Sequence, residues 1–249
     1  MKLTISAISD IGNVRENNED MLLIGNEFLR DDSLEREFNF DSAEHPLMIA
    51  VADGMGGHQG GEYASEIAIT EMNAAVCDLK NGAADTDLQK YFSDRVQKIH
   101  QKLLEEGTMD ETKTDMGSTF VGILFFQNSI YLINIGDSRS YRLRNGLLVQ
   151  LSRDHSLREM TGNPDAPSNI IVNSLGAGEK IFCDFEDISQ RVLSGDSLLL
   201  CSDGLSDELD DEEIETILSN SSNALDIVNA VKSKEAKDNI SVILAYFDK

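Results

Sequence analysis

The order of apolar segments predicts an α+β domain built in layers, and three observations carry that reading. Strand-like runs follow one another between Thr119 and Leu151, helical stretches are segregated before and after them, and the regular strand-helix-strand alternation of a doubly wound sheet is missing. The length of 249 residues, with 41% hydrophobic and 27% charged, suits one globular domain over 1–249. No repeat, low-complexity tract or linker divides it.

Taken in order, Leu3 to Ser9 alternates as a strand with one face buried, and Asp10 to Asn13 turns the chain. Arg15-Glu16-Asn17-Asn18-Glu19-Asp20 then sets an arginine and carboxylates before a second apolar run, Met21 to Ile24. The polar stretch from Gly25 to Pro46 reads as an inserted surface loop or hairpin without chemistry. Leu47 to Ala52 is a buried strand that ends in Asp53-Gly54-Met55-Gly56-Gly57-His58. Helical spacing follows from Glu62 to Leu79, and again at Leu88, Phe92, Val96, Ile99 and Leu103, with Asn81-Gly82 closing the first helix. Strands are expected at Thr119 to Phe126, Ser129 to Ile135, Ser140 to Arg144 and Leu147 to Leu151. The last two flank Asn145-Gly146, a strong hairpin signal. Asp154-His155-Ser156 opens a short helix and a polar loop. Further strands are expected at Lys180 to Phe185 and Ser197 to Cys201, the second ending in Asp203-Gly204. Ile214, Ile217 and Leu218, then Leu225, Val228 and Val231, supply the buried faces of two acidic helices. Asp238-Asn239 precedes the closing strand, Ile240 to Leu244.

A net charge of -24, from 45 acidic against 21 basic residues, disfavours nucleic acid and anionic membrane surfaces. With no eighteen-residue apolar stretch and no signal-peptide core at the start, a cytoplasmic location is expected. Cys77, Cys183 and Cys201 lie in apolar segments without zinc-site spacing and read as reduced, buried thiols.

The corner after Leu47 to Ala52 carries the chemistry. A carboxylate at a strand exit, followed by glycines that free backbone carbonyls, suits a hard cation. A Rossmann fingerprint fails because Gln59 stands where its third glycine belongs, and a Walker loop fails for want of Gly-Lys-Ser/Thr. Asp53, Asp203 and Asp238, each at a strand edge, are expected to meet at one rim. Carboxylates crowded there repel, and magnesium or manganese relieves the repulsion. Such a site permits two-metal hydrolysis at phosphorus, with Arg15 as the fork for phosphate oxygens. Asp203 to Glu212 fails as a calcium loop, since Leu205 and Glu208 stand where a ligand and the turn glycine belong. Gly136-Asp137-Ser138-Arg139-Ser140 lacks the last glycine of a nucleophile elbow.

Seven motifs in order, Arg15 to Asp20, Asp53 to His58, Gly117-Ser118-Thr119, Gly136 to Arg139, Asp154-His155-Ser156, Asp203 to Asp207 and Asp238-Asn239, resemble the metal-dependent type 2C serine/threonine protein phosphatases, in their bacterial branch. The resemblance implies two antiparallel sheets sandwiched between pairs of helices, with a short flap near residues 155–180. It implies hydrolysis of phosphoserine and phosphothreonine in proteins, by a water activated between two ions of manganese or magnesium, in opposition to serine/threonine kinases. Asp53 is then the bridging carboxylate, and Gly54 is a ligand through its carbonyl. Asp203 and Asp238 complete the second ion's shell, while Glu19 and Asp20 act through bound water. Asp53, Asp203 and Asp238 are thereby the catalytic carboxylates, and Arg15 holds the substrate phosphate. Asp137 and Ser138 support the rim. Asn239 either orients its neighbour or caps a strand. A third ion would draw on Asp110, Glu111 or Asp115. Met55 stands where many relatives have a histidine acid, leaving His58 or bound water for that role. Expected partners are phosphorylated proteins, including a kinase or its substrates, with no nucleic acid or membrane; the chain is expected to be a monomer. Two alternatives are a metal phosphohydrolase of other substrates and a silent relative that binds phosphoproteins.

Overall fold

The computed structural model describes residues 2–39, 45–56, 60–167, 169–221 and 223–248. His58, a candidate acid, lies outside them. Thirteen strands among the described residues run β1 (Lys2–Asp10), β2 (Asp20–Ile24), β3 (Glu27–Leu29), β4 (Ser33–Asn39), β5 (Leu47–Met55), β6 (Gly117–Ser118), β7 (Phe120–Phe126), β8 (Ser129–Ile135), β9 (Arg139–Arg144), β10 (Leu147–Gln150), β11 (Asp184–Asp187), β12 (Ser197–Cys201) and β13 (Ile240–Asp248). Six helices accompany them: α1 (Gly60–Cys77), α2 (Asp85–Met109), α3 (Leu157–Thr161), α4 (Asp203–Ser206), α5 (Asp211–Asn220) and α6 (Ala224–Lys232).

The strands form two antiparallel sheets, one ordered β10-β9-β12-β13-β1-β4 and the other β11-β8-β7-β5-β2-β3, with β6 paired to β5. Alternation explains how they stack. Along β5, Leu47, Ile49 and Val51 enter the core between the sheets, whereas Met48, Ala50 and Ala52 face α1 and α2. Along β13, Ile243 and Ala245 join the inter-sheet core, and Ile240, Val242 and Leu244 face α5 and α6. Both faces of the central strands are apolar, which is why they read as continuous runs. Four layers result, helices outside and sheets inside, as expected.

Three local expectations are corrected. The segment between Gly25 and Pro46 is not a surface insertion: β3 pairs with β2, and β4 crosses to pair with β1 at the other sheet's edge. Leu225 is exposed, and Ala224 and Ile227 join Val228 and Val231 on the buried face of α6. Cys201 is buried and Cys183 half-buried, but Cys77 is exposed at the end of α1.

Candidate functional site

The starts of β2 and β13 and the ends of β5 and β12 share one rim. Asp20 lies directly opposite Asp53 in the β2–β5 ladder. Across the sandwich, Ser202 Oγ donates to Asp20 Oδ2 at 2.8 Å and accepts from Ser241 N at 3.0 Å, joining the two sheets at this point. Asp53 is held through its backbone: its N–H donates to Thr119 Oγ1 at 3.0 Å, and its carbonyl accepts from Thr119 N at 2.9 Å. Thr119 Oγ1 in turn lies 2.7 Å from Ser138 Oγ, so the Gly-Ser-Thr and Gly-Asp-Ser-Arg motifs brace the backbone of Asp53. Both Asp-Gly pairs have steric causes. A Cβ on Gly54 would lie 2.0 Å from Gly61 O, and one on Gly204 would lie 2.0 Å from Asn239 O.

The carboxyl groups of Asp53 and Asp203 lie close together, each acting on the other's proton affinity. Burial first, then the charges of Asp203, Asp20 and Asp137, hold Asp53 well above the usual carboxylate range. Asp203 is pushed up to about 6 by burial and by Asp238 and Asp207. Asp20, only 1% exposed, is pushed up to about 7 by burial against the opposing bonds from Ser202 and Ser241. Burial also raises Glu19, with Arg15 pulling the other way. Asp238 is more open, and its Oδ2 accepts from Arg15 Nη2 at 2.6 Å. The structure thus places Arg15, Glu19, Asp20, Asp53, Gly54, Asp203 and Asp238 at one rim.

Asn239 clamps this rim and is more than a cap. Its Nδ2 donates to Ile11 O and Asn17 O, each at 3.0 Å, while its Oδ1 accepts from Glu19 N at 2.9 Å. The loop bearing Arg15 and Glu19 is therefore sewn to the residue after Asp238. The surroundings of two further motif residues come only from the fold. Asp137, 8% exposed, has a buried Oδ1 without a hydrogen-bond partner and is pushed up to about 7 by burial and by Asp203. His155 Nδ1 accepts from Gly136 N at 3.0 Å and from Asn173 Nδ2 at 2.7 Å, and its Nε2 meets Asp184 Oδ2 at 3.1 Å. That knot closes the base of the 155–180 segment. Of the acids considered for a third ion, Asp110 spends its carboxylate on Thr112, while Asp115 O would lie 3.3 Å from a Cβ on Gly56.

Among the described residues, no three Asp, Glu, His or Cys side chains are already gathered as a cation cage. The carboxylates are paired off instead: Asp53 with Asp203, Asp20 with Ser202, and Asp238 with Arg15. The donor set still fits a hard divalent cation. It is all oxygen, it crowds mutually repelling carboxylates whose protons a cation would replace, and it holds the orphaned Asp137 oxygen beside them.

Comparison with known proteins agrees with this geometry. The family model described as protein phosphatase 2C matches residues 24–244. Serine/threonine phosphatase stp of Listeria monocytogenes is 31% identical over 223 residues, covering 84% of this chain and 88% of that protein. The solved serine/threonine phosphatase of S. agalactiae superposes with a TM-score of 0.83 at 26% identity, over 99% of this chain and 100% of the other. The catalytic domain of the serine/threonine protein phosphatase PstP, in complex with two manganese ions, has a TM-score of 0.76 at 29% identity and covers 99% of this chain and 100% of its own. With the motifs braced together at one sandwich rim, and the match spanning nearly the whole chain, this protein belongs to the protein phosphatase 2C family.

Proposed function

We propose that the chain is a metal-dependent protein phosphatase that hydrolyses phosphoserine and phosphothreonine, releasing inorganic phosphate and the free hydroxyl, and so opposes serine/threonine kinases. The observation that carries this reading is the placement of Arg15, a fork for phosphate, 2.6 Å from Asp238 on the rim that also holds the buried carboxylates Asp20, Asp53 and Asp203. Asp53, Asp203, Asp238 and the Gly54 carbonyl would hold two ions of manganese or magnesium, with Glu19 and Asp20 acting through water. When bound, such ions acidify a water molecule and neutralise charge on the phosphoryl group. Arg15 grips the phosphate oxygens and orients the ester, and Asn239 keeps the Arg15 loop against the carboxylates. Thr119 and Ser138 fix the backbone of Asp53 so that its carboxylate does not swing out.

The same reading treats 1–249 as one catalytic domain, monomeric and cytoplasmic, with the 155–180 segment as its flap. Its substrates are phosphorylated proteins, a kinase or kinase substrates among them. No helix among the described residues is long and apolar enough to cross a membrane. Phosphate release from phosphoserine and phosphothreonine peptides with manganese, lost on chelation, is the expected result. Peptide binding without phosphate release would sink catalysis in favour of a phosphoprotein-binding role.

A further inference from the structure

We propose that Arg30 is a positioning residue for this reaction, fixing the distance between the start of β2 and the first turn of α1. The inference rests on the metal roles proposed above for Glu19, Asp20 and Gly54, because those groups lie in the gap that Arg30 spans. Its Nε donates to Asp20 O at 2.9 Å. On the other side, Nη1 donates to Glu62 Oε1 at 2.9 Å, and Nη2 donates to Glu62 O at 2.9 Å and Ser65 Oγ at 3.0 Å. One guanidinium thus makes four bonds to two elements, with its side chain only 16% exposed.

What lies in the gap gives the bonds their consequence. A Cβ on Gly61 would lie 2.6 Å from Glu19 Oε1, so the Glu19 carboxylate rests on the start of α1. Gly54 N donates to Glu19 O at 3.2 Å, and Asp20 stands opposite Asp53 in the ladder. A shift of α1 away from β2 would therefore displace Glu19 directly, and Asp53 and Gly54 through the backbone. Arg30 is itself anchored: Asn18 Nδ2 donates to Asp31 Oδ1 at 2.9 Å, and Ser9 N donates to Asp32 O at 3.0 Å. Those bonds aim the side chain across the gap. Lysine, a single point donor on a flexible stem, cannot reproduce a fork that reaches Asp20 O, Glu62 and Ser65 together.

The test is manganese affinity by titration calorimetry on the full chain, with the kinetic constants for a phosphothreonine peptide. Partners that orient metal ligands usually contribute tenfold or more to affinity, so Arg30→Met and Arg30→Lys should each raise the manganese Kd roughly tenfold. Turnover should fall more than KM rises, since Asn239 holds the Arg15 loop independently. Arg36→Met, which removes the same charge from a surface pair with Glu27, should leave the Kd unchanged. If Arg30→Met fails to fold, Arg30→Lys and the double variant Glu62→Gln, Ser65→Ala carry the same expectation. A Kd within twofold of wild type in the folded Arg30 variants, or full rescue by lysine, overturns the inference. Wild type that takes up no manganese overturns the metal reading and this inference with it; wild type that binds while the variants match it overturns the inference alone.

Discussion

Strand β12 has an aspartate at each end, and the two are treated in opposite ways. At its entrance Asp196, with its side chain 2% exposed, accepts from Arg144 Nε and Nη2 and from Leu193 N, each at 2.7 Å. Those bonds outweigh burial and hold it below the usual carboxylate range. At its exit Asp203 faces Asp53, Asp207 and Asp238, and is pushed up to about 6. A carboxylate supplied with donors supports the native state; one surrounded by its own kind opposes it and is retained for something the protein must bind.

The largest break in that contrast should come from Asp53→Asn. Removing a charge that lies among Asp20, Asp137 and Asp203 takes away the carboxylate proposed to bridge both ions. Loss of several kcal/mol of transition-state stabilisation corresponds to a fall in turnover on the order of a thousandfold. Circular dichroism and melting without metal should show a folded chain at least as stable as wild type. Near-native turnover at saturating manganese would falsify the assignment. Arg15→Ala comes next. Losing a charge-assisted fork on phosphate costs about 1.5–3 kcal/mol, or roughly ten- to a hundredfold in kcat/KM, while manganese should still raise the melting temperature. An unchanged kcat/KM removes Arg15 from the phosphate; a lost manganese response makes it part of the metal scaffold.

How much of this was legible before the structure depended on periodicity. Strands with two apolar faces, such as β5, β7 and β12, announce themselves as runs, and the strand-exit aspartates stand out because glycine must follow them where Gly61 O and Asn239 O press close. β4 was illegible because an edge strand with only Leu34 and Phe38 packed inward has too few apolar positions to set a period. The role of Arg30 and the partners of His155, itself part of a legible motif, were hidden for another reason. Their partners lie tens of residues away along the chain, and no local pattern distinguishes a four-bond arginine from a solvated one. Asn239 was half visible: its place beside Asp238 suggested a role, but the three bonds to the Arg15 loop come only from the fold.

The entrance of β12 should respond in the other currency, stability without chemistry. Asp196→Ala removes three bonds from a buried acceptor, a loss of about 2–3 kcal/mol. That corresponds to a fall in melting temperature on the order of 5–10 °C. Turnover per folded molecule and manganese Kd should not change. A drop in either would mean that the two ends of the strand are coupled.

The most direct measure of the contrast is the pH dependence of melting in the presence of chelator. Asp203, near 6 when folded, and Asp20 and Asp137, near 7, all bind protons more tightly in the native state than in the unfolded chain. Their contribution is therefore greatest below the unfolded carboxylate range and is lost as pH rises from about 4 to about 7. Asp196 has the opposite sign: its contribution is present above the unfolded pKa and is lost as pH falls through its depressed folded value. Each excess native proton changes stability by about 1.4 kcal/mol per pH unit, or roughly 3–5 °C in melting temperature. Metal-free wild type should accordingly melt progressively lower between pH 5 and 7, and Asp203→Asn should flatten that slope. Manganese should reverse it, because cations displace the same protons. Metal-free melting that rises over this interval would mean that the rim carboxylates are already charged, and that the two ends of β12 are treated alike.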